Sequence, residues 1–178
     1  FSLPDHARQD PIWLRSAGAQ LGRDGCRVPL PWSAGAPSLG FSLRPGADPW
    51  LPVPADFAEC AVDRQEQDAD SFLTLYRTLL GLRRSLFDAA DPLEWLVGPS
   101  PDVLAFRRGA GLCVLNLGSV PVSLSEQAAD AVVARSRAEV EPTIPQDSAA
   151  WIDADRVPGA LERHLWTSAA VQGAPTRR

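Results

Sequence analysis

The 178 residues contain no methionine, one tyrosine and only two histidines, and what is scarce or missing removes several functional classes at once. The arginines are scattered and never form a dense block. The net charge is -5 with a pI near 5.0, so no electrostatic footprint for nucleic acid is present. No apolar run reaches the ~18 residues that a membrane span needs, and the first residues lack the charged and apolar regions of a secretory signal, so no membrane partner is expected. Cys26, Cys60 and Cys113 are odd in number and widely separated, which argues against a disulfide framework and a Cys-x-x-Cys metal site and favours a reducing, cytoplasmic home. His6 and His164 stand at no metal-ligand spacing from another His or Cys, and no cofactor is implied. A Gly-x-Ser-x-Gly elbow and a phosphate-binding glycine loop are also lacking.

Proline and glycine are abundant instead, at 17 and 13 residues. From Phe1 to Pro54 no apolar period lasts beyond a few residues, so this stretch reads as long loops. A structureless stretch of that length usually covers something larger than itself. A chain opening on Phe1 is consistent with a fragment.

The clearest helix follows. Phe72, Leu75, Tyr76, Leu79, Leu80, Arg83, Leu86 and Phe87 recur at three- and four-residue steps, with Asp70 or Ser71 as the cap and Asp91-Pro92 as the stop. Beyond Pro92 the pattern shortens to strand-like runs at 93–97, 103–108, 112–117, 122–124, 131–134 and 149–152. Arg108-Gly109-Ala110-Gly111 reads as a hairpin turn. Strands of this length and spacing predict a small antiparallel β-sandwich, in which Trp95 and Trp151 read as core. Order is expected to fade after Ile152, with a short helix around 161–166 and a polar tail.

Two segments, Gln9-Asp10-Pro11-Ile12-Trp13 and Gly22-Arg23-Asp24-Gly25-Cys26-Arg27-Val28-Pro29-Leu30-Pro31-Trp32, resemble a stretch of the bacterial α-glucosidases and oligo-1,6-glucosidases of the α-amylase superfamily. Further matches follow in the same order: Trp50-Leu51-Pro52, Ala61-Val62-Asp63-Arg64-Gln65, Ser71 to Arg77, Val114-Leu115-Asn116-Leu117 and Ile144 to Trp151. The resemblance implies an α/β-plus-β architecture. Residues 1–91 would be the C-terminal end of a (β/α)₈ barrel, its loops and last helix, 92–152 a small antiparallel β-sandwich domain and 153–178 a tail. In such barrels the active site lies at the C-terminal face of the strands.

Family members are retaining glycosidases that need two carboxyl groups about 5–5.5 Å apart. The resemblance places these, a third aspartate and the sugar-binding histidines upstream of Phe1, so this chain alone is expected to be inactive. Asp5, Asp10, Asp24, Glu59, Asp63, Glu66, Asp68 and Asp70 read as solvated acids or helix caps and not as replacements.

What the resemblance leaves to the chain is substrate recognition. It implies that an arginine of Arg23-Asp24-Gly25-Cys26-Arg27 reaches the pocket for the non-reducing-end glucose and pairs with an upstream aspartate. A guanidinium fork suits this because it bridges carboxylate and hydroxyls in fixed geometry. Arg27 is favoured over Arg23; either could instead lock the loop without touching sugar. Asp24 reads as orienting an arginine or closing a turn with Gly25. Trp13 and Trp32 are stacking platforms or loop anchors, and Cys26 is a small buried residue, not a nucleophile.

The expected function is thus the C-terminal portion of an α-glucosidase that releases terminal α-linked glucose from oligosaccharides. Its partners are the missing N-terminal barrel and, in the complete enzyme, an α-glucoside. Transglycosylases and sucrose-acting enzymes share the motifs. The alternative is a non-catalytic module that kept the β domain for sugar binding or protein contact.

Overall fold

The computed structural model describes residues 3–44, 46–87, 90–137, 142–157 and 165–167. The chain divides into two compact units, Phe1–Leu73 and Thr74–Arg178. That division lies 18 residues before the 91/92 boundary expected from sequence and falls inside the long helix.

The first unit is mostly loop, as its proline content demands. It also holds α1 (Pro11–Arg15) and α2 (Val62–Gln65), with single 3₁₀ turns at Asp5–Ala7, Asp24–Cys26, Pro37–Gly40 and Ala55–Cys60. The α1 helix is absent from the sequence expectation. Its start follows simple rules: Asp10 caps it by accepting the Ile12 N–H, and Pro11 occupies the first position, where no N–H is needed. Among the described residues the unit buries few apolar side chains, chiefly Leu3, Leu51 and Ala61, while Leu14, Leu21, Phe41, Leu43 and Trp50 stay exposed. Its deepest polar groups are Asp10 and Asp24. Hydrogen bonds, not a large core, therefore shape it.

The long helix, α3 (Phe72–Leu86), forms where expected, with Arg83 and Arg84 in its last turn. There positive charge faces the negative end of the helix dipole. Its start is tied from α2: the Leu73 N–H donates to Gln65 Oε1 at 3.2 Å, and the Ser71 hydroxyl donates to the Gln65 carbonyl at 2.6 Å. The helix ends at Leu86, short of the Pro92 stop. Of its apolar stripe, Leu86 is buried, while Phe72, Tyr76 and Leu80 are 74%, 64% and 59% exposed.

In the second unit, a five-stranded antiparallel sheet has the order β1-β2-β3-β7-β5: β1 (Glu94–Leu96), β2 (Val103–Arg108), β3 (Gly111–Asn116), β5 (Val132–Arg135) and β7 (Ser148–Asp153). Two strands, β4 (Val122–Ser123) and β6 (Thr143–Ile144), form a separate ladder, and α4 (Glu126–Asp130) precedes β5. Gly109, at φ 60°, makes the β2–β3 turn, with Arg108 opposite Gly111.

The core lies on one sheet face. Val103, Ala105, Leu112, Val114, Ala150 and Ile152 pack with Val122, Leu124, Ile144, Ala128, Leu165 and Trp166. The second layer is therefore a short ladder plus a helix. Asn116 links the layers: fully buried, it donates to the carbonyls of Val120 and Ile144, 3.0 Å each, and accepts the Gly118 N–H at 2.9 Å.

Three expectations need correction. Trp95 is not core: it is 63% exposed and packs edge-on against Phe106 at 5.7 Å, because this pair lies on the sheet face opposite the core. Trp151, on the same face by register, is half-buried. Order does not fade at Ile152. Ala154–Arg156 forms a 3₁₀ turn, and buried Leu165 and Trp166 return to the core, the Ser125 N–H donating to the Leu165 carbonyl and the Trp166 indole N–H to the Val97 carbonyl. Residues 161–164 of the expected short helix lie outside the described residues, while Trp166 pairs with Leu124 as an isolated β-bridge. Cys26 is exposed, as is Cys60; Cys113 alone is buried, and burial pushes its thiol up to about 11. No helix among the described residues is long and apolar enough to cross a membrane.

Candidate substrate-binding loop

The two N-terminal motif segments are laced together by two carboxylates, each accepting at least one backbone N–H from the other's segment. Asp24 is fully buried, and its Oδ2 accepts the N–H groups of Gln9 at 2.7 Å and Asp10 at 2.9 Å. Asp10, also buried, returns the arrangement. Its Oδ1 accepts Ile12 N–H at 2.8 Å, and its Oδ2 accepts Arg23 N–H at 2.9 Å and Arg27 Nη1 at 2.7 Å. Asp24 Oδ1 is 3.9 Å from Arg27 Nη1 and is a buried side-chain oxygen without a hydrogen-bond partner among the described residues.

Gly22 makes this closeness possible. Its φ is +68°, and a Cβ there would lie 2.5 Å from Asp10 Cγ, so both the backbone conformation and the available space exclude a side chain.

The amides of Ile12 and Arg23 hold the Asp10 carboxyl below the usual carboxylate range, with the Arg27 guanidinium adding to them against the opposing effect of burial. An acid so held stays ionised and cannot act as a proton donor near neutral pH. Asp63 is also lowered. Ser33 Oγ donates to it at 2.8 Å and Ala34 N–H at 3.1 Å, pinning the turn after Trp32 onto α2.

These shifts fix a pH response. A carboxyl whose folded-state pKa is depressed stabilises the fold above its unfolded value and loses that contribution as pH falls through the folded value. With an ordinary value of 3.8, protection of the Arg23 and Ala34 amides should hold from neutral pH to about 4 and decay only below it. Hydrogen exchange across pH 3–7 measures this, and a midpoint above pH 5 would contradict the assignment.

The candidates named from sequence are thereby separated. Arg27 joins the carboxylate pair through Nη1, and its side chain is 43% exposed. Arg23 contributes its backbone N–H, while its exposed side chain makes no ion pair among the described residues. Asp24 holds the amides of Gln9 and Asp10. Sequence reasoning read Asp10 as a solvated acid or helix cap; it does cap α1, but it is buried and also holds Arg23 and Arg27, and the role of Gly22 was not seen. Among the described residues Arg27 pairs closely with Asp10, at 2.7 Å, and more distantly with Asp24, at 3.9 Å.

Trp13 serves as an anchor: the Arg8 guanidinium lies 5.0 Å from its ring centroid, and Gly18 lies close against its ring edge. Trp32 is half exposed, with its backbone N–H donating to Leu39 and its carbonyl accepting from Asp63. His6 is exposed, and His164 lies outside the described residues. Among the described residues no group of three His, Cys, Asp or Glu side chains could hold a metal ion.

This loop falls within residues 4–89, which match the model of the α-amylase catalytic domain. A probable α-glucosidase of Rhizobium meliloti (strain 1021) is 34% identical over 61% of this chain. The chain is a relative of the α-amylase-family α-glucosidases. A probable oligo-1,6-glucosidase of Bacillus subtilis (strain 168) is 30% identical over 48% of the chain. Among solved structures, the α-glucosyl transfer enzyme XgtA shares 28% identity at a TM-score of 0.61 over 85% of this chain. The match is to part of each: the chain spans 20%, 15% and 30% of the three in turn.

Proposed function

We propose that this chain is the C-terminal portion of a retaining, cytoplasmic α-glucosidase, acting on terminal α-linked glucose of short oligosaccharides, whose catalytic carboxylates belong to a preceding barrel. The observation that carries the reading is the double carboxylate lacing that holds Arg27 half-exposed in a loop within the α-amylase match. On this reading residues 1–91 complete the barrel with loops and α3, 92–152 form the β-sandwich domain, and 153–178 are a tail of which Ala154, Val157, Leu165 and Trp166 pack into that domain's core. Arg27 borders the glucose pocket, and Asp24 fixes the loop that presents it. The bare row Phe72, Tyr76 and Leu80 supports the reading, since a last barrel helix needs the rest of a barrel to cover it.

The isolated chain is expected to give no turnover of p-nitrophenyl α-glucoside. Nucleophile and general acid each contribute orders of magnitude, and Asp10, an ionised carboxylate committed to backbone amides, can replace neither. Turnover that disappears on replacing an acid of this chain would overturn the reading.

One observation favours a second reading, a sugar-binding β module: the exposed Trp95 ring beside Phe106. Quenching of tryptophan fluorescence by maltose in the isolated chain, lost in Trp95→Ala, would support it.

A further inference from the structure

We propose that Asp10 is the residue that positions Arg27 for the sugar, an inference that rests on the α-glucosidase reading above. The carboxylate is itself fixed before it meets the arginine. Ile12 N–H engages Oδ1 and Arg23 N–H engages Oδ2, one donor from each segment, so a bond on each oxygen holds the carboxyl plane. Arg27 Nη1 closes on Oδ2 at 2.7 Å, the length of a charge-assisted hydrogen bond.

One nitrogen of the guanidinium is thus anchored. Among the described residues Nε and Nη2 have no acceptor, and the side chain is 43% exposed. Because the group is planar, anchoring Nη1 limits where the remaining N–H bonds can point, and a donor fork of limited direction suits a pair of neighbouring sugar hydroxyls. Asp24 Oδ1, buried without a donor and 3.9 Å from the same Nη1, places a second negative atom behind the arginine. Both carboxylates lie on the anchored side, leaving the other donors available to a neutral polyol.

Asp10 could instead be no more than a helix cap. A cap alone would affect folding; a positioning residue also acts on kinetics through Arg27. The test compares Asp10→Asn, Arg27→Ala and the double variant in the full-length enzyme that carries this chain, with kcat, KM and the melting curve measured for each. Asparagine can still cap Ile12 through its oxygen, but its amide nitrogen is a donor and accepts from neither Arg27 nor the Arg23 N–H. Loss of the backbone bond is read from the melting curve, and loss of the anchor from kinetics at matched folded concentration. The expected result is a fall in kcat/KM of roughly tenfold to a hundredfold for Asp10→Asn. In the Arg27→Ala background the same change should cost almost nothing further, because the group it positions is gone. Losses that multiply, or an unchanged kcat/KM in Asp10→Asn, would overturn the inference.

A second readout uses this chain directly. The ¹⁵N-detected Nε–H signal of Arg27 should move in Asp10→Asn while that of Arg23 stays. A full-length protein without α-glucosidase activity would sink the enzymatic reading, whereas an unmoved Arg27 signal would overturn the anchoring itself.

Discussion

Gly22→Ala is expected to unlace the N-terminal loop, with loss of hydrogen-exchange protection at the amides of Gln9, Asp10 and Arg23. Two costs combine at this position. The left-handed backbone, φ +68°, penalises any side chain by about 1–2 kcal/mol. The new Cβ would also lie 2.5 Å from Asp10 Cγ, so the carboxylate that accepts three donors must move. The sum should exceed about 3 kcal/mol, the large end of single-substitution effects. Two glycines provide controls. Gly46 has φ +73°, and a Cβ added there would meet nothing within 4 Å; Gly25 has neither positive φ nor neighbours. Gly46→Ala should therefore show the backbone cost alone and Gly25→Ala almost none. A Gly22→Ala variant no worse than Gly46→Ala would show that the close approach to Asp10 carries no energetic weight.

Arg27→Ala in the complete enzyme should lower kcat/KM by roughly 10–100-fold, the range of one lost charge-assisted hydrogen bond of about 1.5–3 kcal/mol. The melting temperature should change little by comparison. Asp10 keeps its two backbone donors, and Asp24 keeps the amides of Gln9 and Asp10. Arg23→Ala supplies the contrast: its backbone N–H holds Asp10 whatever the side chain, so its kinetics should stay near those of the parent. Equal losses for both arginines would remove the distinction between them. A collapsed melting temperature in Arg27→Ala would make that residue structural.

How much could be read from the sequence depended on whether a feature is local. The β2 strand, 103–108, and the turn at Gly109 were legible because alternation and a glycine at the turn are written within a few residues. Elements of two to five residues, α1, α4 and β6, carry no full period. They exist through caps and distant bonds: Asp10 and Ser125 accept N–H groups at the starts of α1 and α4, and Asn116 reaches the carbonyl of Ile144 in β6.

Alternation also cannot say which face of a strand becomes core. Trp95 stands opposite Phe106, Phe106 opposite Cys113, and Cys113 opposite Trp151, so they share one face. Burial chose the other, where Val103, Ala105, Leu112 and Val114 lie. The same limit hid Asp10. Its neighbours in sequence mark a helix cap, whereas its second oxygen is used by Arg23 and Arg27, 13 and 17 residues away. Arg27 was reachable only through the resemblance, which supplied a loop but not the carboxylate that holds it.

The most direct measurement joins this chain to a barrel. In the relative from Rhizobium meliloti, the segment corresponding to this chain would be replaced by it, and glucose release from isomaltose and maltose would be followed at matched folded concentration. The expected result is α-glucosidase turnover in the chimera, none in either half alone, and a loss of roughly 10–100-fold on adding Arg27→Ala. A folded chimera, with a cooperative melting transition, that releases no glucose would contradict the assignment of this chain to an α-glucosidase.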